Sequence, residues 1–118
     1  AHGVPVNMHA HGRVRHALSC MREMGVDSTD PVEPPPAGDL TIAEARSIVG
    51  DDVTLVGNLE FDELEYAEPS YIADRVKEIL AVGPRRLVVG ASGGPLSKIT
   101  PQLANNYRSW IAAVLEQG

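Results

Sequence analysis

The sequence predicts an α/β fold of four consecutive strand–helix units, the size of half a (βα)8 barrel. Three observations carry that reading. Four apolar runs of strand length are each followed by a stretch with helical spacing of its apolar residues. The strand candidates are continuously apolar rather than alternating, as in a parallel sheet covered on both faces. Units of about 28 residues, four in number, make half of the roughly 250 residues that a closed barrel takes. The chain, residues 1–118, is therefore expected to be a single partial domain.

The elements follow in order. "GVPVNMHAHG" (3–12) reads as the first strand. In "RVRHALSCMREMG", Val14, Ala17, Leu18, Met21 and Met24 fall at helical spacing and Gly25 stops the helix. "VDSTDPVE" (26–33) reads as a short second strand, and "PPPAGD" as a rigid loop that no helix interior admits. "TIAEARSIVG" opens with Thr41-x-x-Glu44, a capping-box spacing, and closes on Gly50. "DVTLVGNLE" (52–60) is the clearest strand. The polar stretch "FDELEYAEP" reads as a connector to a helix starting near Pro69, with Ile72, Val76, Ile79 and Leu80 on one face. "RRLVVG" (85–90) is the fourth strand and "ASGGPLSKIT" its loop. A last helix starts at Thr100-Pro101 and is expected to bury Leu103, Tyr107, Trp110, Ile111 and Val114.

Composition narrows the partners. An apolar share of 43% suffices for a core. No run approaches the ~18 apolar residues of a membrane span, and no charged segment followed by an apolar one marks a secretion signal at the start. The single cysteine, Cys20, excludes an internal disulfide and fits a reducing, cytoplasmic setting. The net charge of −6, basic residues in no block longer than Arg85-Arg86, and one Phe with one Trp exclude a nucleic-acid partner. No membrane partner is expected either.

Parallel α/β folds bind ligands at the carboxyl ends of their strands. Those ends carry His9 and His11, then Asp30 and Glu33, then Asn58 and Glu60, then Ser92 beside Gly93 and Gly94. The amino ends offer only Val4, Val26, Asp52 and Arg86. Two residues apart on a strand point to one face, about 6.5–7 Å between Cα atoms. Neutral imidazoles so placed reach one zinc or other divalent ion at about 2.0–2.1 Å, so His9 and His11 are the candidate metal ligands. The competing reading is a strand-end pair bonded to backbone, water or an anionic group. His16 falls inside the following helix and is set aside. Glu33, fixed by three following prolines, is a candidate catalytic carboxylate: third metal ligand, general base, or clamp for a substrate cation. Asp30 reads as a solvated loop acid. Asn58, which can donate and accept, is the second candidate catalytic residue, with a turn in left-handed conformation as the alternative. Ser92, Gly93 and Gly94 are candidate substrate-binding residues, able to present backbone N–H groups to a phosphate or carboxylate. The loop lacks the G-x-G-x-x-G and G-K-[ST] fingerprints, and a flexible connector is its alternative.

With these residues in hand, "MHAHG … GVDSTDPVEPPPAGDLTIAEARSIVGDDVTLVGNLE … GPRRLVVGASGGP … NNY" resembles the uroporphyrinogen decarboxylase superfamily over nearly the whole chain. Its most specific piece, "GDDVTLVGNLE", resembles a family strand ending in Gly-Asn-(Leu/Ile)-Asp, with Glu60 here in place of Asp. The resemblance implies that the four units are the carboxyl-terminal half of the family's barrel and that the amino-terminal half is missing. Two chemistries come with it. The decarboxylases remove acetate carboxyls from a tetrapyrrole without metal or cofactor, using an arginine and an aspartate of the missing half. They carry Gly-His-Gly where this chain has Ala91-Ser92-Gly93. The other branch transfers methyl groups between thiol or corrinoid carriers with zinc and is similar at His9, within a His-x-Cys-Gly motif. His11 stands here at the cysteine position, and Ser92 falls near the second cysteine ligand. A harder donor set of His9, His11 and Glu33 remains.

The resulting expectation is an enzyme of this superfamily, its branch unassigned, acting on a small-molecule or tetrapyrrole-like substrate at the strand carboxyl ends, with a metal-assisted methyl transfer among its candidate reactions. The activity is expected of the parent protein, and this chain alone is expected to be inactive. Tetrapyrrole decarboxylation and a non-catalytic half-barrel assembly module are the alternatives. The expected partner is the missing amino-terminal half or a second copy of the chain. A metal-dependent hydrolase barrel also places H-x-H at a strand end, but the only histidine downstream of the pair is the helical His16.

Overall fold

The computed structural model describes residues 3–95 and 98–117. The elements are β1 (Asn7–His9), α1 (Arg15–Met24), β2 (Ser28–Asp30), α2 (Ile42–Val49), β3 (Thr54–Leu59), α3 (Phe61–Tyr66), α4 (Pro69–Leu80), β4 (Leu87–Ala91) and α5 (Pro101–Gln117). The strands form one parallel sheet in chain order, β1-β2-β3-β4. Leu96 and Ser97, inside the loop expected after the fourth strand, lie outside the described residues.

Helix starts follow the expected signals, with one addition. Thr41 and Glu44 form the capping box: the Glu44 N–H donates to Thr41 Oγ1 at 3.2 Å and the Thr41 N–H to Glu44 Oε2 at 2.8 Å. Pro69 opens α4, and Thr100 Oγ1 accepts the Leu103 N–H at the head of α5. α1 has no such side chain of its own, because Val14 stands at its cap. Its free N–H groups at Val14 and Arg15 donate instead to Asp39 Oδ1, at 3.0 and 3.3 Å. The second unit thus caps the helix of the first.

Four expectations are corrected. The first two strands are shorter than read: β2 ends where Pro31 has no N–H for the ladder, and Gly12, at φ 80°, turns the chain after β1. Residues 61–66 form a helix rather than a connector. Glu63 Oε2 accepts the Glu60 N–H at 3.1 Å and Leu64 anchors the turn in the core. In α5, Leu103 is buried while Ile111 is 58% exposed, because among the described residues no element packs on that side of the helix beyond β4. On α1, Met24 is exposed rather than buried.

The sheet is covered by helices on one face, as in half of a barrel. Leu55, Leu59 and Thr29 lie under the helices with Leu18, Val49, Ile72, Val76 and Ile79. The opposite face carries Asn7, His9, Ser28 and Asp30 at one end and the half-exposed Val88 at the other. There Ser28 Oγ donates to Asn7 Oδ1 at 2.6 Å, and Asn7 Nδ2 donates to Asp30 Oδ1 at 2.5 Å. Among the described residues no helix is long and apolar enough to cross a membrane.

The capping box makes a pH prediction. Bonds from the Thr41 N–H, the Arg15 guanidinium and the Thr41 hydroxyl hold the Glu44 carboxyl down from its ordinary 4.5 to about 2. A depressed folded value stabilises above the ordinary one and loses that contribution as pH falls towards the depressed one. Glu44→Gln is therefore expected to lower the melting temperature at neutral pH. In circular-dichroism melts the difference should shrink between about pH 4.5 and 2. A difference that persists unchanged at the acid end contradicts the assignment.

Candidate functional site

The carboxyl ends of β1 and β2 build one compact group. His9 ends β1 on the bare face, and its Nδ1 lies 3.1 Å from Asp30 Oδ2 at the paired position of β2. His11, two residues on, places its Nδ1 2.9 Å from Glu33 Oε1. The two Nε2 atoms then converge to 3.0 Å, with the rings nearly perpendicular. Each imidazole is thus fixed from behind by its own carboxylate.

Electrostatics fix the tautomers. The Asn7 amide is the largest influence on Asp30 and lowers its pKa. Burial opposes this, the His9 bond adds to it, and the net shift is downward. For Glu33 burial is the largest influence and pushes upward, but bonds from His11 and the Gly12 N–H outweigh it, again to a lowered value. Both groups are therefore ionised near neutral pH and can only accept, so each histidine donates its Nδ1–H. In neutral rings that leaves two Nε2 lone pairs facing one another at 3.0 Å. Such a contact is repulsive unless a shared proton or a cation sits between them.

Glu33 is buried, and its loop explains how. Pro34, Pro35 and Pro36 restrict the backbone, and the Gly38 N–H donates to Pro34 O at 2.9 Å. A Cβ on Gly38 would stand 1.9 Å from the Glu33 carbonyl oxygen, so only glycine lets the loop fold back there. The sequence signal for Gly38 was available as a glycine after a proline run, but nothing local shows what it packs against.

The other candidates stand elsewhere. Asn58 is buried, its Nδ2 donating to Val32 O at 2.8 Å and its Oδ1 accepting from Arg75 Nη2 at 3.3 Å. It ties the end of β3 to the loop after β2 and to α4, with both ends of its amide engaged. Gly57 likewise admits the backbone of Val32 rather than a ligand, since a Cβ there would meet it at 3.1 Å. Ser92 Oγ donates to Glu60 Oε2 at 3.1 Å and accepts the Phe61 N–H at 3.0 Å, which joins β4 to the head of α3. Gly93 faces Phe61, and Gly94 has open space where a side chain would be. His9, His11, Asp30 and Glu33 therefore form the cluster, while Asn58, Ser92 and Gly93 brace the rim around it. Asp30, read as a solvated acid, is a member of the cluster. His16 lies on the exposed side of α1.

Glu60 is the other rim carboxyl with a consequence. Its Oε1 is buried without a partner. Burial is the largest cause raising its pKa; the Ser92 bond opposes this, and Glu33, Glu63 and Asp62 add to it. A raised folded value stabilises below the ordinary one and loses that contribution as pH rises through the folded value. Glu60→Gln, with the same shape and no charge, is thus expected to melt higher than the parent chain at pH 7–8. The gap should narrow as pH falls towards the ordinary 4.5. A variant that melts lower throughout would contradict this.

Comparison with known proteins agrees with the fold. No curated protein matches the chain. Among solved structures, a methyltransferase from Methanosarcina mazei is similar in fold, with a TM-score of 0.71 and 24% sequence identity. The match covers 98% of this chain and 32% of that one, so the chain spans about a third of the length of that relative. The profile of the uroporphyrinogen decarboxylase (URO-D) family matches residues 1–110. The chain belongs to the uroporphyrinogen decarboxylase family and carries four βα units of its barrel.

Proposed function

We propose that this chain carries the metal-holding wall of a group-transfer enzyme, with His9 and His11 as ligands to a divalent ion such as zinc. The observation that carries the reading is the 3.0 Å approach of two Nε2 atoms whose Nδ1 atoms are each held by a carboxylate. A carboxylate behind a ligating imidazole fixes its tautomer and raises its basicity. The separation is less than twice a zinc–imidazole bond of about 2.0–2.1 Å, so one ion can touch both nitrogens. Among the described residues no group of three or more His, Cys, Asp or Glu is arranged around one ion. The two imidazoles would thus supply two of the ion's ligands, and water, substrate or the rest of the barrel would supply the others.

A bound ion would act as a Lewis acid that activates a nucleophile or polarises a leaving group. The protein residues have separate tasks. His9 and His11 present lone pairs, and Asp30 and Glu33 hold the rings and keep the Nδ1 protons. In this reading Glu33 sits behind His11 rather than acting as a third ligand or general base. Gly12, the proline run and Gly38 keep Glu33 in place. Asn58 becomes a positioning residue for the same loop through Val32. The substrate is a small molecule entering at the strand carboxyl ends, and the opposite wall comes from a further half-barrel. The methyltransferase of similar fold makes methyl transfer the first reaction to assay on the parent protein.

Zinc or cobalt titration of the purified protein, read by calorimetry and by elemental analysis after dialysis, tests the proposal. One ion per chain is expected, lost in His9→Ala and His11→Ala. Asp30→Asn and Glu33→Gln should weaken binding about 10–100-fold without abolishing it. Retention of the parent affinity in both histidine variants would overturn the reading.

A further inference from the structure

A single amide closes the loop that holds Glu33. Asn58 Nδ2 donates to Val32 O at 2.8 Å and reaches Leu40 O at 3.5 Å. Those carbonyls are the two feet of the loop, and each stands beside a carboxylate with a task. Glu33 follows Val32 and takes the His11 Nδ1–H and the Gly12 N–H. Asp39 precedes Leu40 and caps α1 through the Val14 and Arg15 N–H groups. The segment from His11 to Arg15 is therefore held by a loop whose feet meet at one side chain. Asn58 is 3% exposed, so its remaining oxygen needs a donor. Arg75 of α4 supplies it: Nη2 lies 3.2 Å from Asn58 O and 3.3 Å from Asn58 Oδ1. One nitrogen thus grips the backbone and the side chain of Asn58 together and fixes how the amide is turned. The guanidinium is held in turn by Glu63 at 3.5 Å, and Glu63 accepts the Tyr71 hydroxyl at 2.7 Å.

We infer that Arg75 is a positioning residue for His11, acting through Asn58 and the carboxylate of Glu33. This role rests on the reading of His11 as a lone-pair donor to a metal, and it explains what keeps that lone pair on Nε2. Arg75 can only donate, so Asn58 must present Oδ1 to it and the amide N–H groups to the loop. An amide turned the other way would set Oδ1 against carbonyl oxygens and aim N–H groups at a cation. The orientation seen here holds Val32 and Leu40, and through them keeps Glu33 behind His11. With Glu33 in place, His11 carries its proton on Nδ1 and presents Nε2. Without it, the ring is free to carry the proton on Nε2 and donate to His9 Nε2, 3.0 Å away. His9 is the internal control. Its carboxylate, Asp30, sits at the paired position of β2 and is held by Asn7 rather than by the Asn58 clasp. Disturbing Arg75 should therefore change one imidazole and spare the other.

Nitrogen NMR of metal-free protein, isotope-labelled at its histidine rings, reads both tautomers at a pH where the rings are neutral. In the parent protein His9 and His11 should each carry the proton on Nδ1. In Arg75→Met, His11 should move to the Nε2–H form that free histidine favours, while His9 keeps Nδ1–H. Asn58→Asp keeps an oxygen for Arg75 but loses both donations to the loop. It should give the same change, and it serves if Arg75→Met fails to fold by circular dichroism. Arg75→Lys retains a cationic donor, and one nitrogen makes both contacts with Asn58, so it should keep the parent pattern. Zinc affinity, titrated in parallel, should fall about 10-fold or more in Arg75→Met, as when a ligating imidazole loses its outer partner. A parent protein that binds no zinc overturns the metal reading, whereas the tautomers decide the role of Arg75 with no metal present. A His11 that keeps Nδ1–H in Arg75→Met and Asn58→Asp, or a change in both rings together, would overturn the inference.

Discussion

The handedness of the β-strand crossover governs this molecule. Parallel strands joined through helices turn to the right. Three successive right-handed crossovers with the strands in chain order put every helix on the same side of the sheet. Leu55 and Leu59 vanish under α2 and α4, while Asn7, Ser28 and Asp30 are left on the other side to bond with one another. A doubly wound sheet reverses its strand order midway and so covers both faces. Here nothing reverses, and the sheet must curl or stay half bare. The polar row, the open edges and the convergence of the strand ends all descend from that rule.

The same rule explains why the site assembles at the boundary of two units. Adjacent parallel strands bring His9 level with Asp30. The loop that leaves β2 swings Glu33 back under His11 and the Gly12 N–H. The imidazoles approach each other because each is held from behind, and the hold on His11 depends on backbone restricted by prolines and admitted by Gly38. Glu60 and Ser92 show the opposite economy at the next pair of strand ends. There a carboxyl is buried with one oxygen unpartnered, so charge is costly and burial raises its pKa.

Much of this was legible before any coordinates. The strand–helix alternation, the capping box at Thr41, the proline starts at Pro69 and Pro101, and the rim as the place to look all follow from local chemistry. His9 and His11 could be paired on one face from the two-residue period of a strand. What could not be read depends on distance in the chain. Asp39 caps α1 from 25 residues away, and no pattern around Val14 announces it. Asn58 looked like a ligand contact because it follows Gly57, but the neighbour that fills the glycine's space is the backbone of Val32, 25 residues earlier. The helix at 61–66 was hidden because it is only six residues long and only Leu64 is buried in it. Ile111 kept helical spacing with the core yet faces outward, since periodicity tells which residues share a face and not whether a neighbour covers it.

The cap that Asp39 places on α1 has a consequence for how such proteins can be recombined. The imidazoles belong to the first βα unit, whereas their carboxylates and the helix cap belong to the second. A chimera cut after Gly25 would respect every boundary of secondary structure and still divorce His9 from Asp30, His11 from Glu33 and α1 from its cap. The heritable module is therefore a pair of units, and exchange between related barrels keeps this chemistry only when residues 7–39 travel as one block.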